Sequence, residues 1–264
     1  MTLTFGNAPL GSQGPPDTNY TIDGPKHRLL FDAFPRRVRA VFCGETVLDT
    51  TRGRLLHESN MLPMLYVPVD DVEQSLLQPT EHSKHCPFKG DAAYWSVVVD
   101  GHVADNAVWG YPQPHDDATW LRGHYAVYFE AMDAWFDEDE QIQAHLRDPF
   151  HRIDARRSSR AVAVRLGSGA DAVELAQSSR PVVVSENGLL NRFYLPAQDV
   201  RTDLLVRSPT STHCPYKGTS TYWSMADGSA DDVAWSYEEP FSDVAIAAGH
   251  LCFLAEGVTT DVSP

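Results

Sequence analysis

The chain has 264 residues, of which 42% are hydrophobic and 22% are charged, a composition typical of soluble globular proteins. Its formal net charge of −15 repels phosphate groups, which excludes nucleic acids and anionic membranes as expected partners. The sequence shows neither an apolar run of the roughly 18 residues needed to cross a bilayer nor a signal-peptide pattern at its start, so we expect a cytoplasmic protein.

Residues 1–30 are rich in glycine and proline and predict an irregular arm. Alternating apolar and polar residues then begin at Val38 and again at Ala161, which predicts half-buried strands at two distant places. The chain is a tandem duplication, because 15 of 31 positions are identical between residues 66–96 and 194–224, at a constant offset of 128. We therefore predict two domains, residues 31–136 and 159–264, joined by a linker of residues 137–158.

Each copy continues with an arginine and a glutamate six positions apart, Arg52 and Glu58 in the first copy and Arg180 and Glu186 in the second. Residues at this spacing on a strand share one face, so we expect an ion pair or, as the alternative, an anion-binding site. A Tyr-x-Pro-x-x-Asp-Val segment follows in both copies and predicts one short helix with a carboxylate in its first turn.

The most distinctive repeated block is His-Cys-Pro-Phe-Lys-Gly at residues 85–90 and His-Cys-Pro-Tyr-Lys-Gly at residues 213–218. Proline presets a turn and glycine can end it with a positive φ angle, so the block predicts a rigid corner that aims Lys89 or Lys217. Each lysine either binds an anionic group or forms a structural ion pair with Glu58 or Glu186. The cysteine is expected to be a small buried residue rather than a nucleophile.

A strand follows each corner and ends at an Asp-Gly pair, which is a strong signal for a two-residue hairpin turn. In that register Ser96 faces Asp105, and Ser224 faces Asp231. Because side chains alternate between the faces of a strand, each Ser–Asp pair shares its face with aromatic residues. These aromatic residues are Tyr94, Trp109 and Tyr111 in the first copy and Tyr222, Trp235 and Tyr237 in the second.

A carboxylate buried among aromatic rings is suited to acid–base chemistry, which makes Asp105 and Asp231 candidate catalytic residues together with Lys89 and Lys217. The alternative for each aspartate is a structural hydrogen bond from the facing serine. The second copy has Tyr216 where the first has a phenylalanine, and the added hydroxyl favours the second copy as the active one.

Together, these motifs resemble the domain of unknown function 427 family, sometimes labelled nucleotidyltransferase-like. They cover residues 37–130 and 160–256. The resemblance implies a small β-rich domain similar to β-tent or Mss4-like folds, whose better-known members bind zinc or hold a ligand between sheets. The paired Cys-x-x-Cys knuckles of the zinc-binding members are absent from this sequence, so neither a metal nor another cofactor is expected. The residues also carry no Gly-Ser and paired-Asp signature for nucleotidyl transfer.

We therefore expect a mainly β protein of two tandem domains, each a small twisted assembly of sheets with one short helix. The functional hypothesis is a small-molecule site in each copy. It is formed by the strand face that carries the aromatic residues, and it is closed by the lysine corner, which is our name for residues 85–90 and 213–218. With the aspartate as acid or base and the lysine as anion anchor, such a site could serve a metal-free enzyme. The ligand's identity and the oligomeric state stay open at this stage. The alternative is a non-catalytic ligand-binding or protein-interaction module with a cleft between the copies.

Overall fold

The structure is a computed structural model that describes Gly11 and residues 27–263. The chain divides into two compact units, Met1–Phe150 (unit 1) and His151–Pro264 (unit 2). Both units are built mainly from antiparallel strands, which confirms the predicted fold class. The predicted irregular arm lies largely outside the described residues, but its last two positions already belong to a strand. No helix of the described part is long and apolar enough to cross a membrane.

The strands of the described part of unit 1 are antiparallel. They are β1 (Leu29–Ala33), β2 (Val38–Phe42), β3 (Glu45–Thr50), β4 (Arg54–Glu58), β5 (Met64–Pro68), β6 (Leu77–Cys86), β7 (Gly90–Val99), β8 (His102–Gly110), β9 (His124–Val127), β10 (Ala134–Asp137) and β11 (Glu140–Ile142). The acidic residues 137–140 were predicted to lie in a linker, but Asp137 ends β10, Glu140 begins β11, and the two residues between them form the turn.

Two sheets pack against each other in unit 1. The larger has the order β1-β4-β5-β9-β8-β7-β6, and the smaller has the order β11-β10-β2-β3. The main core lies between them, where aliphatic residues such as Val38 and Val47 of the small sheet meet Val67 and Val97 of the large one. A second apolar cluster covers the other face of the large sheet and includes Tyr66 together with the predicted aromatic residues.

The strands of unit 2 follow the same order. They are β12 (Ile153–Arg157), β13 (Ala161–Leu166), β14 (Val173–Ser178), β15 (Val182–Glu186), β16 (Arg192–Tyr194), β17 (Leu205–Cys214), β18 (Gly218–Met225), β19 (Ala234–Tyr237), β20 (Leu251–Phe253) and β21 (Val258–Ser263). The large sheet of unit 1 corresponds here to two shorter sheets, β12-β15-β16 and β17-β18-β19-β20, with a single bridge between Leu195 and Leu251. β12 occupies residues that were predicted to be linker.

The short helix expected after each Tyr-x-Pro segment is resolved as two 3-10 helices. Val72, between them in unit 1, forms a bridge with Leu48 of β3, and the next amide donates to the carbonyl of Val47. Because these backbone groups pair with the sheet, a continuous helix cannot form across them. The 3-10 helices of the described residues are Val69–Asp71, Gln74–Leu76, Asp116–Leu121, Phe129–Ala131, Gly169–Asp171, Ala197–Asp199, Thr202–Leu204 and Ser242–Ala247.

Candidate functional site

The corner at residues 85–90 directs Lys89 inward, where its ammonium donates a hydrogen bond to the carboxylate of Glu58 at the end of β4. Both side chains are buried, with 9% and 8% of their surface exposed. Gly90 ends the corner at a φ of 102°, and a Cβ there would lie 3.3 Å from the carbonyl oxygen of Gln113. Of the two alternatives for the lysine, the structure thus contains the ion pair with Glu58.

His27 adds a third member to this ion pair. Its Nε2 lies 2.9 Å from the second carboxylate oxygen of Glu58. The imidazole also stacks on Phe88, with ring centroids 3.9 Å apart and an angle of 14° between the planes. The corner therefore contributes both the lysine and the aromatic ring that orients the histidine. We call His27, Glu58 and Lys89 the unit 1 triad.

Unit 2 repeats this arrangement as the unit 2 triad of His151, Glu186 and Lys217. Lys217 Nζ donates to Glu186 Oε2 over 2.6 Å, and His151 Nε2 lies 3.0 Å from Glu186 Oε1. Tyr216 takes the place of the phenylalanine, with its ring centroid 3.9 Å from that of His151. The same three side chains thus meet in the same pattern in both units.

Sequence reasoning identified the lysine and the glutamate of each triad but missed the histidine. His27 and His151 are 124 positions apart, whereas the other members follow the offset of 128, so the repeat alignment does not match them. A weaker signal was present, because His27-Arg28-Leu29 and His151-Arg152-Ile153 both precede the first strand of a unit. Only the pairing of that strand with β4 or β15 brings the histidine to the glutamate.

The contact between Glu58 and Lys89 requires the large sheet of unit 1 to be curved. Four inter-strand steps separate β4 from β7, which would amount to about 19 Å in a flat sheet. Because Glu58 and Lys89 are in direct contact, the sheet must curl so that its two sides approach each other. Lys89 lies near the ring of Tyr111, a member of the second apolar cluster, so the triad lies beside this packed aromatic core.

Opposing electrostatic effects act on the glutamate of the unit 2 triad. Burial alone would raise the pKa of Glu186, but the hydrogen bond from His151 and the charge and hydrogen bond of Lys217 outweigh it and lower the pKa to about 2. The carboxylate is therefore ionised near neutral pH. An ionised glutamate holds its lysine as a cationic donor, which suits the binding of an oxygen acceptor better than the removal of a proton.

Buried tyrosines lie close enough to each triad for its glutamate to raise their pKa. In unit 1, Lys89 Nζ lies 6.0 Å from the ring centroid of Tyr111. Burial raises the pKa of both Tyr66 and Tyr111, and the carboxylate of Glu58 adds to the shift. In unit 2, burial raises the pKa of Tyr194 and Tyr237 in the same way. These hydroxyls stay protonated at physiological pH and act as neutral hydrogen-bonding groups.

The predicted aromatic residues come together, but largely as core. Tyr94 pairs with Trp109 across β7 and β8, and both are buried with Tyr111 in one cluster. In unit 2, Tyr237 is buried beside Trp235, and the hydroxyl of Tyr222 lies 3.2 Å from Thr212 Oγ1. These rings therefore pack mainly against one another.

The predicted pairing of serine and aspartate is wrong in both units. Near the turn the register is as expected, with Val97 opposite Ala104, but it shifts before Trp95 and Val108 pair. The bulge adds two residues to β8, and its Asn106 has a φ of 50° and an amide that donates to Ser96 Oγ over 3.0 Å.

The bulge also determines where each aspartate lies. Asp105 is exposed. In unit 2, Ser224 Oγ accepts from the amide of Asp232 over 2.9 Å, and Asp231 is likewise exposed. Neither aspartate has the buried environment that its predicted acid–base role required.

The arginines also differ from the prediction. Arg52 pairs with Asp71 rather than with Glu58, and Thr50 donates a 2.6 Å hydrogen bond to the same carboxylate. In unit 2, Arg180 pairs with Asp199 over 2.8 Å. The arginine therefore ties the Tyr-x-Pro segment to the neighbouring strand, and both arginine side chains are more than half exposed.

Within the described residues, no group of three or more His, Cys, Asp or Glu side chains could hold a metal ion. A family model described as "Domain of unknown function (DUF427)" matches the chain twice, over residues 31–138 and 154–263. Both matches begin a few residues after the histidine of a triad and include its glutamate and lysine. No protein with a curated description matches the chain.

Proposed function

The chain belongs to the DUF427 family, whose function is unknown. We propose that each unit is a small-molecule-binding module centred on its triad. The ligand is a compact organic molecule with an oxygen acceptor, such as a carboxylate, and an apolar part. The lysine and histidine of the triad hold the acceptor. Binding rather than acid–base catalysis is the better supported activity, because both predicted aspartates are exposed and both lysines are paired.

One observation carries this proposal, namely that the same largely buried triad occurs in both units. Burying an ion pair costs several kcal/mol per ion, and well-packed apolar residues of similar size are often equally or more stabilising. Packing alone therefore gives no reason to keep Lys89 with Glu58 and Lys217 with Glu186. A binding role gives one, since a buried lysine has donors beyond the one that its glutamate occupies.

Each lysine also retains a small accessible area, 9% of the side chain for Lys89 and 13% for Lys217. A ligand oxygen can therefore approach the ammonium from one side without breaking the ion pair. A hydrogen bond to a charged donor of this kind contributes about 1.5–3 kcal/mol, most of it when the site is shielded from water.

The apolar part of the ligand is inferred from the turn that follows each glutamate. In unit 1 the amide of Met61 donates to the carbonyl of Glu58, which places Met61 and Leu62 at the tip of this turn, about half exposed. The equivalent Leu189 and Leu190 are 43% and 79% exposed. Adjacent exposed apolar side chains at the same place in both units suit contact with a ligand's hydrocarbon portion.

The proposal is tested by thermal shift with straight-chain monocarboxylates from acetate to decanoate. We expect the wild-type melting temperature to rise with chain length, because a ligand that binds only the folded state stabilises it. The shift should disappear in a variant with Glu58→Gln, Lys89→Met, Glu186→Gln and Lys217→Met, which removes both ion pairs without leaving a lone buried charge. The control is Arg52→Met with Asp71→Asn, which removes a repeated ion pair whose arginine is exposed. A full shift in the four-residue variant would refute the proposed site.

A further inference from the structure

His57 lies on β4 directly before Glu58 and is fully buried. Neither of its ring nitrogens has a hydrogen-bond partner within the described part of the chain. A buried polar group without a hydrogen bond is costly, by about 1–3 kcal/mol, and is rare in folded proteins. Unit 2 has its triad without such a residue, because the position equivalent to His57 is Ser185, which is exposed. His57 therefore serves something specific to unit 1.

The imidazole faces residues 146–150, the last segment of unit 1. Its Nδ1 lies 3.7 Å from Asp148 Oδ2, which is too far for a hydrogen bond, and Asp148 is itself buried. The other oxygen of Asp148 accepts a 2.9 Å hydrogen bond from the amide of Phe150. The ring of Phe150 in turn packs edge-on against His57, with centroids 5.6 Å apart. The segment thus covers the imidazole with one carboxylate and one aromatic ring.

Burial, rather than the charged groups around His57, favours its neutral form when the segment is closed. Burial lowers the pKa of His57, and although Asp148 from the covering segment and Asp32 from β1 act in the opposite direction, burial dominates. Glu58, the next residue on β4, is engaged by Lys89 and His27. Proton uptake would place a cation in a site that offers no hydrogen bond at its present geometry, so the cation is better accommodated in water.

We propose that His57 and Asp148 form an acid-sensitive latch, which holds residues 146–150 on β4 and releases them when the imidazole is protonated. The direction of the pH dependence follows from the pKa of His57 in the closed state and in the open state. In the closed state the pKa of His57 is below its ordinary value of 6.5, and in the open, hydrated state it returns to that value. The closed state is therefore fully stabilised above about pH 6.5 and loses stability as the pH falls.

The latch is tested by hydrogen exchange of the full chain at pH 7.5 and pH 5.0, expressed as protection factors so that the intrinsic pH dependence of exchange is removed. In the wild type, protection of residues 146–150 should fall by up to about 30-fold at pH 5.0. This factor is the ratio of protonated to neutral imidazole at pH 5.0 for an open-state histidine of ordinary pKa, about 30. In His57→Phe, which retains an aromatic ring but cannot titrate, protection should be equal at both pH values. His57→Gln serves the same purpose if His57→Phe does not fold.

β15 is the internal control, since it carries Ser185 in place of the histidine, and its protection should not change. Wild-type protection of residues 146–150 that stays constant or rises on acidification would overturn the latch. An acid response of equal size in the non-titrating variants would overturn it as well.

Discussion

Ser96 and Ser224 have a structural role that depends on single backbone amides. Each hydroxyl accepts from a backbone amide opposite, that of Asn106 or Asp232, and both of these residues have a positive φ angle. The serine thus satisfies a donor that the strand ladder leaves unpaired. The neighbouring aspartate projects into solvent instead of sharing this contact.

This assignment predicts opposite results for two substitutions in unit 1. Ser96→Ala should reduce the free energy of unfolding by about 1–3 kcal/mol, because it leaves the Asn106 amide without its acceptor. Asp105→Asn should change it by less than about 0.5 kcal/mol, as is usual for an exposed residue. Urea denaturation of both variants measures the difference. A larger loss in Asp105→Asn than in Ser96→Ala would contradict the observed register.

Among the elements, the lysine corner joins two sides of a curled sheet. It brings Lys89 to Glu58 across four strand positions, and Phe88 to His27 before the first strand. The corner thus links two distant strands of the sheet and also contributes to the proposed site. Substitutions can separate these two roles.

Lys89→Met alone should destabilise unit 1 by about 3–5 kcal/mol, because Glu58 would be left buried without its cation. Lys89→Met combined with Glu58→Gln should recover most of this stability, since no lone charge remains. Chemical denaturation followed by tryptophan fluorescence measures both. If the double variant were no more stable than the single one, the loss would come from packing of the lysine stem rather than from the charge.

Much of this arrangement could be predicted from the sequence, because local chemistry dictates it. The duplication, the mainly β fold and the Asp-Gly turn follow from identities, alternation and turn residues, and the Lys89–Glu58 pair was one of two predicted alternatives. The bulge at Asn106 could not be predicted, since the two extra residues in β8 leave no local pattern. His27 was missed because its position depends on strand pairing over 31 positions.

At the scale of the whole molecule, the duplication provides two copies of one arrangement with different surroundings. Both triads have the same three side chains, but unit 1 has a partly exposed Phe88 and the buried His57, whereas unit 2 has a buried Tyr216 and an exposed serine. Retention of the triad amid these changes favours a shared binding function in the two units. The acid-sensitive latch is then a property of unit 1 alone.

The most direct test of this account is the binding stoichiometry of the monocarboxylate that gives the largest thermal shift, measured by isothermal titration calorimetry. We expect two molecules per wild-type chain, one per chain in Glu58→Gln with Lys89→Met, and one per chain in Glu186→Gln with Lys217→Met. Two molecules per chain in either variant, or no binding to the wild type by any member of the series, would contradict a ligand site at each triad.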